Sequence, residues 1–386
     1  MSRGSSRPWT VAISALALAA CAVSVEKDIA PGASPPPESD EAGLWLVMDR
    51  VERELVTSGQ LADDPRLQEY VREISCRVAP RYCEDARIYV VEQPGFNATM
   101  APNGFMTVWT GLLLRCENEA QLATVLGHEI GHYQRRHTLE MWRSVRATSN
   151  AMMVFSVATA MAGVGYAGNL GQLVALGQLM AFSRDHEREA DALGFEMMTA
   201  AGYAPGEASR IWEGLLEEKE ASGADEPFIF FATHPPSEER FATLKRMAEK
   251  VASPGADLGR ERFLEITGPQ RGEWLEAELK RRRYARVQVL LDRLMQTGTG
   301  LGELHYYQGE LLRRRGDEGD LEEALTVYRQ ALEYPDAPAR TWRDLGFAYW
   351  SLERPTDARE AFERYLALAP AAGDSAMIRS YIERLR

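Results

Sequence analysis

Apolar residues recur every three to four positions through the early part of the chain, as in PRLQEYVREISCRV (65–78), and that period predicts amphipathic helices across residues 44 to 80. Alternation then takes over. RIYVVEQ and GFMTVWTG read as strands, with NATMAPNG between them as a turn-rich connection. Helix dominates again from Leu112, and the stretch QLATVLGHEIGH (121–132) enters its polar residues already helical, because the residues before His128 are good helix formers. From Ala147 to Ser183 no residue carries a formal charge, which is long enough for a membrane span. Gly163, Gly165, Gly168, Gly171 and Gly177, with Asn169, Gln172 and Gln178, interrupt it. Two apolar helices joined by a glycine-rich turn are expected there, as a lid or lying against a membrane, with a span as the alternative.

The polar residues inside the helical stretch carry chemistry. At 3.6 residues per turn, His128 and His132 stack on one face, where both imidazoles can share a metal ion. Glu129 lies beside that face, placed to act as a general base on an attacking water. The chain has six histidines, and burying two of them without a partner would be costly. A catalytic zinc needs a third protein ligand. SRDHEREADALG (183–194) offers Glu187, Glu189 and Asp191 on another helix. Glu187 and Asp191 share a face one turn apart and Glu189 points away, so Glu187 is assigned to the metal. Asp191 is assigned to orienting a ligand imidazole through its second nitrogen. His186 is expected on the surface or in packing.

Location and charge narrow the possible partners. Arg3 and Arg7 precede a short apolar run ending LAAC, the pattern of a lipoprotein signal, in which Cys21 becomes the lipidated first residue of the mature chain. Ala22 follows it, which favours the outer membrane and its periplasmic face. The segment EKDIAPGASPPPESDEAG reads as an extended tether. Net charge is −13, and more negative once Arg3 and Arg7 are removed, so nucleic acid is not an expected partner. Cys76 and Cys83 could pair across a short Pro-containing turn, or Cys116 could pair with either.

Downstream, Trp342, Leu345, Gly346, Tyr349, Ala358, Phe362 and Pro370 fall at the spacing of a tetratricopeptide repeat. A weaker copy runs through Gly309, Leu312, Ala324, Tyr328 and Ala331, and WLEAELKRRRYARVQVLLDRLMQ is a more divergent helix pair. About three stacked pairs are expected. The chain thus divides into a signal (1–20), a lipidated tether (21–43), a catalytic domain (44–251), a linker (252–272) and an α-helical repeat domain (273–386).

HEIGH, SRDHEREADALG and NATMAPNGFMTVWTGLL together resemble the zinc metallopeptidases of the HtpX and CAAX prenyl protease family, over roughly residues 44 to 250. The resemblance implies a mainly α, zincin-type domain with a small β-sheet and one Zn2+ per chain, ligated by His128, His132 and Glu187. THPPSEER extends it. By resemblance His234 lies near zinc and can cap it, and Arg240 helps to hold the oxyanion. The lipidated N-terminus and the repeats match a branch that works in the periplasm beside the barrel-assembly machinery. Misfolded outer-membrane proteins are then the expected substrates, an extended polypeptide pairing with the GFMTVWTG strand. An assembly chaperone with a latent site is the competing reading.

Overall fold

The computed structural model describes residues 28–148, 182–223, 229–235, 238–251 and 255–385. The signal, Cys21 and most of the uncharged stretch 147–183 lie outside the described residues. No described helix is long and apolar enough to cross a membrane.

Two amphipathic helices open the catalytic domain, Asp40–Val56 and Pro65–Val78, as the period predicts. Each begins on a side-chain cap: Ser39 accepts from the Ala42 N–H, and Asp64 from the Arg66 N–H with Pro65 just inside the helix. A disulfide joins Cys76 to Cys83, and Cys116 is a buried free thiol.

The sheet has three strands, β1 (Arg87–Val91), β2 (Ala98–Met100) and β3 (Phe105–Trp109), in the order β1-β3-β2. β1 runs parallel to β3 and β2 antiparallel to it. Two expectations change here. The turn-rich NATMAPNG contains a strand, and the GFMTVWTG strand is central, with both edges taken, so it cannot receive an added polypeptide. The edges are β1 and β2; Ala62 N–H donates to the Val90 carbonyl and Glu92 N–H to that of Gln60, so the outer side of β1 is engaged and β2 is the edge a polypeptide could extend. Trp109 N–H donates to the Asn97 carbonyl and Ala101 N–H to that of Phe105. By the two-residue period, Ala98 and Met100 therefore turn their backbone groups away from β3.

The helix Glu119–Gln134, capped by the Asn118 side chain, is buried along nearly its whole length. It crosses the helix Arg184–Ala200 at very short range. A Cβ added to Gly194 would lie 2.7 Å from the His128 nitrogen, and one on Gly127 would lie 3.0 Å from the Gly194 Cα. Gly131 meets Ala190 in the same way, at 3.1 Å. Small residues one turn apart on each helix let the backbones touch, which brings His128 and His132 up to Glu187 and Asp191.

Within the stretch expected as a linker, the described residues 255–272 are structured and docked. Helix Arg260–Thr267 and the 3-10 turn Gly268–Gln270 occupy it, Phe263 is buried, and Arg262 bonds Glu119 at 2.8 and 2.6 Å. Arg271–Lys280 and Tyr284–Gln296 follow, then the pairs Leu301–Arg315 with Asp320–Ala331 and Arg340–Ser351 with Pro355–Leu368, closed by Ser375–Arg384. Gly309 packs against the Tyr328 ring and Gly346 against Phe362, the small-against-large crossings that the repeat spacing implies.

Gly194→Ala tests the crossing. The added methyl meets backbone, which cannot swing aside, so the variant should lose about 1–3 kcal/mol, the usual cost of overpacking. Urea unfolding of the metal-free chain reads this, and an unchanged midpoint would show that the helices can separate.

Candidate metal centre

His128 and His132 project from Glu119–Gln134 with their Nε2 atoms 3.1 Å apart. Glu187 comes from the crossing helix, its Oε1 3.4 Å from His132 Nε2 and its Oε2 3.7 Å from His128 Nε2. His234 follows the short helix Ile229–Thr233 and brings Nδ1 to 3.0 Å from Glu187 Oε1 and 3.3 Å from His128 Nε2. All four residues are 1% exposed, and one ligand atom from each lies within 4.8 Å of the others. A tetrahedron with metal bonds of about 2.0–2.1 Å has edges of about 3.3 Å. Three nitrogens and one carboxylate oxygen at this spacing fit a single zinc ion.

The surroundings orient these donors. His128 Nδ1 sits 3.0 Å from Asp191 Oδ1. Asp191 in turn accepts two bonds from Arg240, at 2.7 and 2.8 Å. Arg240 also pairs with Glu187. The guanidinium expected at the oxyanion is thus bonded to two acids of the metal cluster. Burial opposes ionisation of Glu187, but electrostatic attraction to the histidines around it and hydrogen bonds from His132 and His234 outweigh it and hold the carboxyl far below its usual range. Burial pushes Glu129 up, as suits a group that must both take and return a proton. Glu129 Oε1 is buried without a hydrogen-bond partner among the described residues, with His234 Nε2 3.6 Å away, and the Met100 backbone of β2, which packs on this helix, partly offsets the rise. That links the candidate base to the edge strand.

Sequence reasoning missed His137. Its Nδ1 lies 3.0 Å from His132 Nδ1, and its Nε2 lies 3.4 Å from Glu189 Oε2. His132 thereby has an outer partner, as His128 has Asp191. A histidine five residues beyond His132 was the available signal, but five is not a same-face helical spacing. Glu189 does point away from Glu187, and it also meets Arg135 at 3.1 Å. His186 stacks on His137 with centroids 4.3 Å apart. Aromatic rings enclose the cluster: Phe182 stacks on His132, Phe230 on His234, and Trp212 packs edge-on to His128. None of these three rings carries a periodicity that marks it in the sequence.

Residues 61–248 match the model of peptidase family M48, and residues 314–383 match a tetratricopeptide repeat. Residues 61–248 form an M48 peptidase domain. Metallopeptidases of that family are zinc-dependent, in agreement with the donor set. The chain is 34% identical over 159 residues to the mitochondrial metalloendopeptidase OMA1 of Schizosaccharomyces pombe, covering 41% of this chain and 45% of the relative. It is 25% identical over 256 residues to the beta-barrel assembly-enhancing protease of Escherichia coli K12, covering 60% and 52%. A putative protease of the same name from Vibrio cholerae is 24% identical over 276 residues, covering 67% and 55%. The chain thus spans about half the length of these relatives.

Replacing His128, His132 or Glu187 by Ala should abolish stoichiometric zinc, whereas Glu129→Gln should keep it. His137→Ala should weaken zinc about 10 to 100-fold, as losses of outer partners do. Chelator competition on the folded chain reads both effects, and wild-type affinity in His137→Ala would remove its orienting role.

Proposed function

We propose that the chain is a zinc metalloendopeptidase anchored to the outer membrane and facing the periplasm, where it degrades misfolded or misassembled envelope proteins. The observation that carries the reading is the convergence of His128, His132 and Glu187 beside Glu129, on a helix packed against β2, whose outer side no other strand pairs among the described residues. An extended polypeptide added at Ala98 and Met100 would run past Glu129, and backbone pairing accepts many sequences. Zinc held by the three ligands would supply Lewis acidity at the scissile carbonyl. Glu129 takes the proton of the attacking water and passes it to the leaving amine. Asp191 and Arg240 fix His128 and Glu187, and we assign Arg240 to that positioning rather than to the oxyanion.

Location rests on the N-terminal pattern that ends at Cys21, and the Cys76–Cys83 disulfide supports an oxidising compartment. The repeats offer a surface for polypeptides or for barrel-assembly machinery, a reading supported by the relatives named for beta-barrel assembly. Cys21→Ala should block incorporation of labelled palmitate, and normal labelling would refute the anchor.

His234 supports a resting state. As a fourth donor it fills the position that catalytic zinc sites leave open, so the loop after Thr233 must move before substrate can react. At equal zinc content, His234→Ala should digest casein faster than wild type. Slower digestion would make His234 a participant in turnover instead of a cap. No digestion by either protein would favour the second reading, an assembly chaperone with a latent site, which this closed donor set also accommodates.

A further inference from the structure

The first repeat helix, Arg271–Lys280, buries a carboxylate against the catalytic domain. Glu278 is 0% exposed, and its Oε1 accepts from the Gly95 backbone N–H and from Arg115 Nη1, the latter at 2.6 Å. Arg115, equally buried, also bonds Glu218 at 2.8 Å and the Gly111 carbonyl at 2.9 Å. Arg293, from the second repeat helix, completes the cluster on Glu218 at 3.0 Å. Burial of so many ionised groups is not an economical route to stability. Mere docking of two domains does not require a bond to one backbone amide.

That amide lies in the turn that feeds the substrate edge. Gly95 has φ +91 and is clamped from behind by Gly111, whose added Cβ would fall 2.3 Å from the Gly95 nitrogen. Gln93 is tied to the same neighbour, because Gly111 N–H donates to its carbonyl at 2.9 Å. The next residue, Phe96, packs edge-on to Phe230 with centroids 5.0 Å apart, and Phe230 stacks on His234 at 4.3 Å. Ala98, three residues past Gly95, starts β2, which packs against the helix that carries Glu129.

We propose that Glu278, a residue of the repeat region, is a positioning residue for the peptidase cleft: by holding the Gly95 N–H it sets the entry into β2 and the seat of the Phe230–His234 stack. The inference deepens the peptidase reading, since it gives the edge strand its support. It also makes the first repeat helix part of the cleft.

Two substitutions in the full-length chain separate this role from ion pairing. Glu278→Asp keeps a negative charge beside Arg115, whose long side chain can follow it, but draws the shared oxygen back by one methylene from the Gly95 amide, which is fixed in the backbone. Glu278→Gln keeps the reach and loses the charge. Hydrogen exchange of the amides at 95–100, measured on metal-free protein, should rise about tenfold in Glu278→Asp, the effect of losing one charge-assisted bond. It should stay near wild type in Glu278→Gln. With zinc, KM for a casein peptide should rise about tenfold in the Asp variant, with kcat and zinc content nearly unchanged. The opposite pattern overturns the proposal: exchange and melting temperature disturbed in Gln and preserved in Asp would make Glu278 only a counterion for Arg115. Because exchange needs neither metal nor turnover, an inactive protein would defeat the peptidase reading and leave this test standing.

Discussion

Everything at the centre depends on two helices touching backbone to backbone. Gly127, Gly131, Ala190 and Gly194 remove the side chains that would otherwise hold Glu119–Gln134 and Arg184–Ala200 at the usual 8–10 Å between axes. Only at that range can two histidines of one helix and a glutamate of another, remote in sequence, bring their ligand atoms within 3.7 Å. The stripe of small residues and the ligands run side by side, one turn apart on each helix. Packing and coordination are thus specified by the same period.

The crossing also creates an electrostatic problem. His128, His132, Glu129, Glu187, Asp191, His234 and Arg240 are all buried, and an isolated charge in such a place would cost several kcal/mol. The cluster answers it by mutual pairing: Arg240 against Asp191 and Glu187, Asp191 against His128, and His137 behind His132. Burial drives His132 well below the ordinary histidine range. A neutral imidazole with an outward lone pair is the form that binds a metal. Glu129 is held more loosely: its Oε1 has no hydrogen-bond partner among the described residues and only His234 Nε2 at 3.6 Å, which suits the proton transfer proposed for it.

Much of this was legible in the sequence, for identifiable reasons. Histidines four apart, an acid pair four apart and the repeat signature all state a helical face directly, so the periodicity of one element suffices to read them. What escaped depends on other elements. β2 is three residues long between Asn97 and Ala101, too short to show alternation, and Pro102, Asn103 and Gly104 just beyond it are turn formers. That β3 is central follows only from pairing on both sides. The stretch 252–272 looks like a linker by its Pro and Gly, yet Phe263 and Arg262 dock it onto the catalytic domain. His137 reaches His132 because the helix is broken at Arg136, with φ 56, which turns the following residue back toward the site. No helical wheel anticipates such a break.

The aromatic packing determines what opening the site would entail. Phe230 lies parallel to His234, interplanar angle 12°, Trp212 also stacks on Phe230, with centroids 5.4 Å apart, and Phe96 meets Phe230 edge-on. Interiors packed this closely do not deform continuously, so a ring cannot slide out alone. If His234 withdraws from the metal position, Phe230 either follows it and gives up its stacking on Trp212, or stays and loses the His234 face; in the first case Phe96 loses part of the surface that seats the entry to β2. Uncapping and shaping of the cleft therefore become one repacking event with two arrangements rather than two independent motions. On the proposed reading, such an arrangement would couple access to the metal with the geometry of the β2 edge, through contacts among aromatic rings rather than through charge.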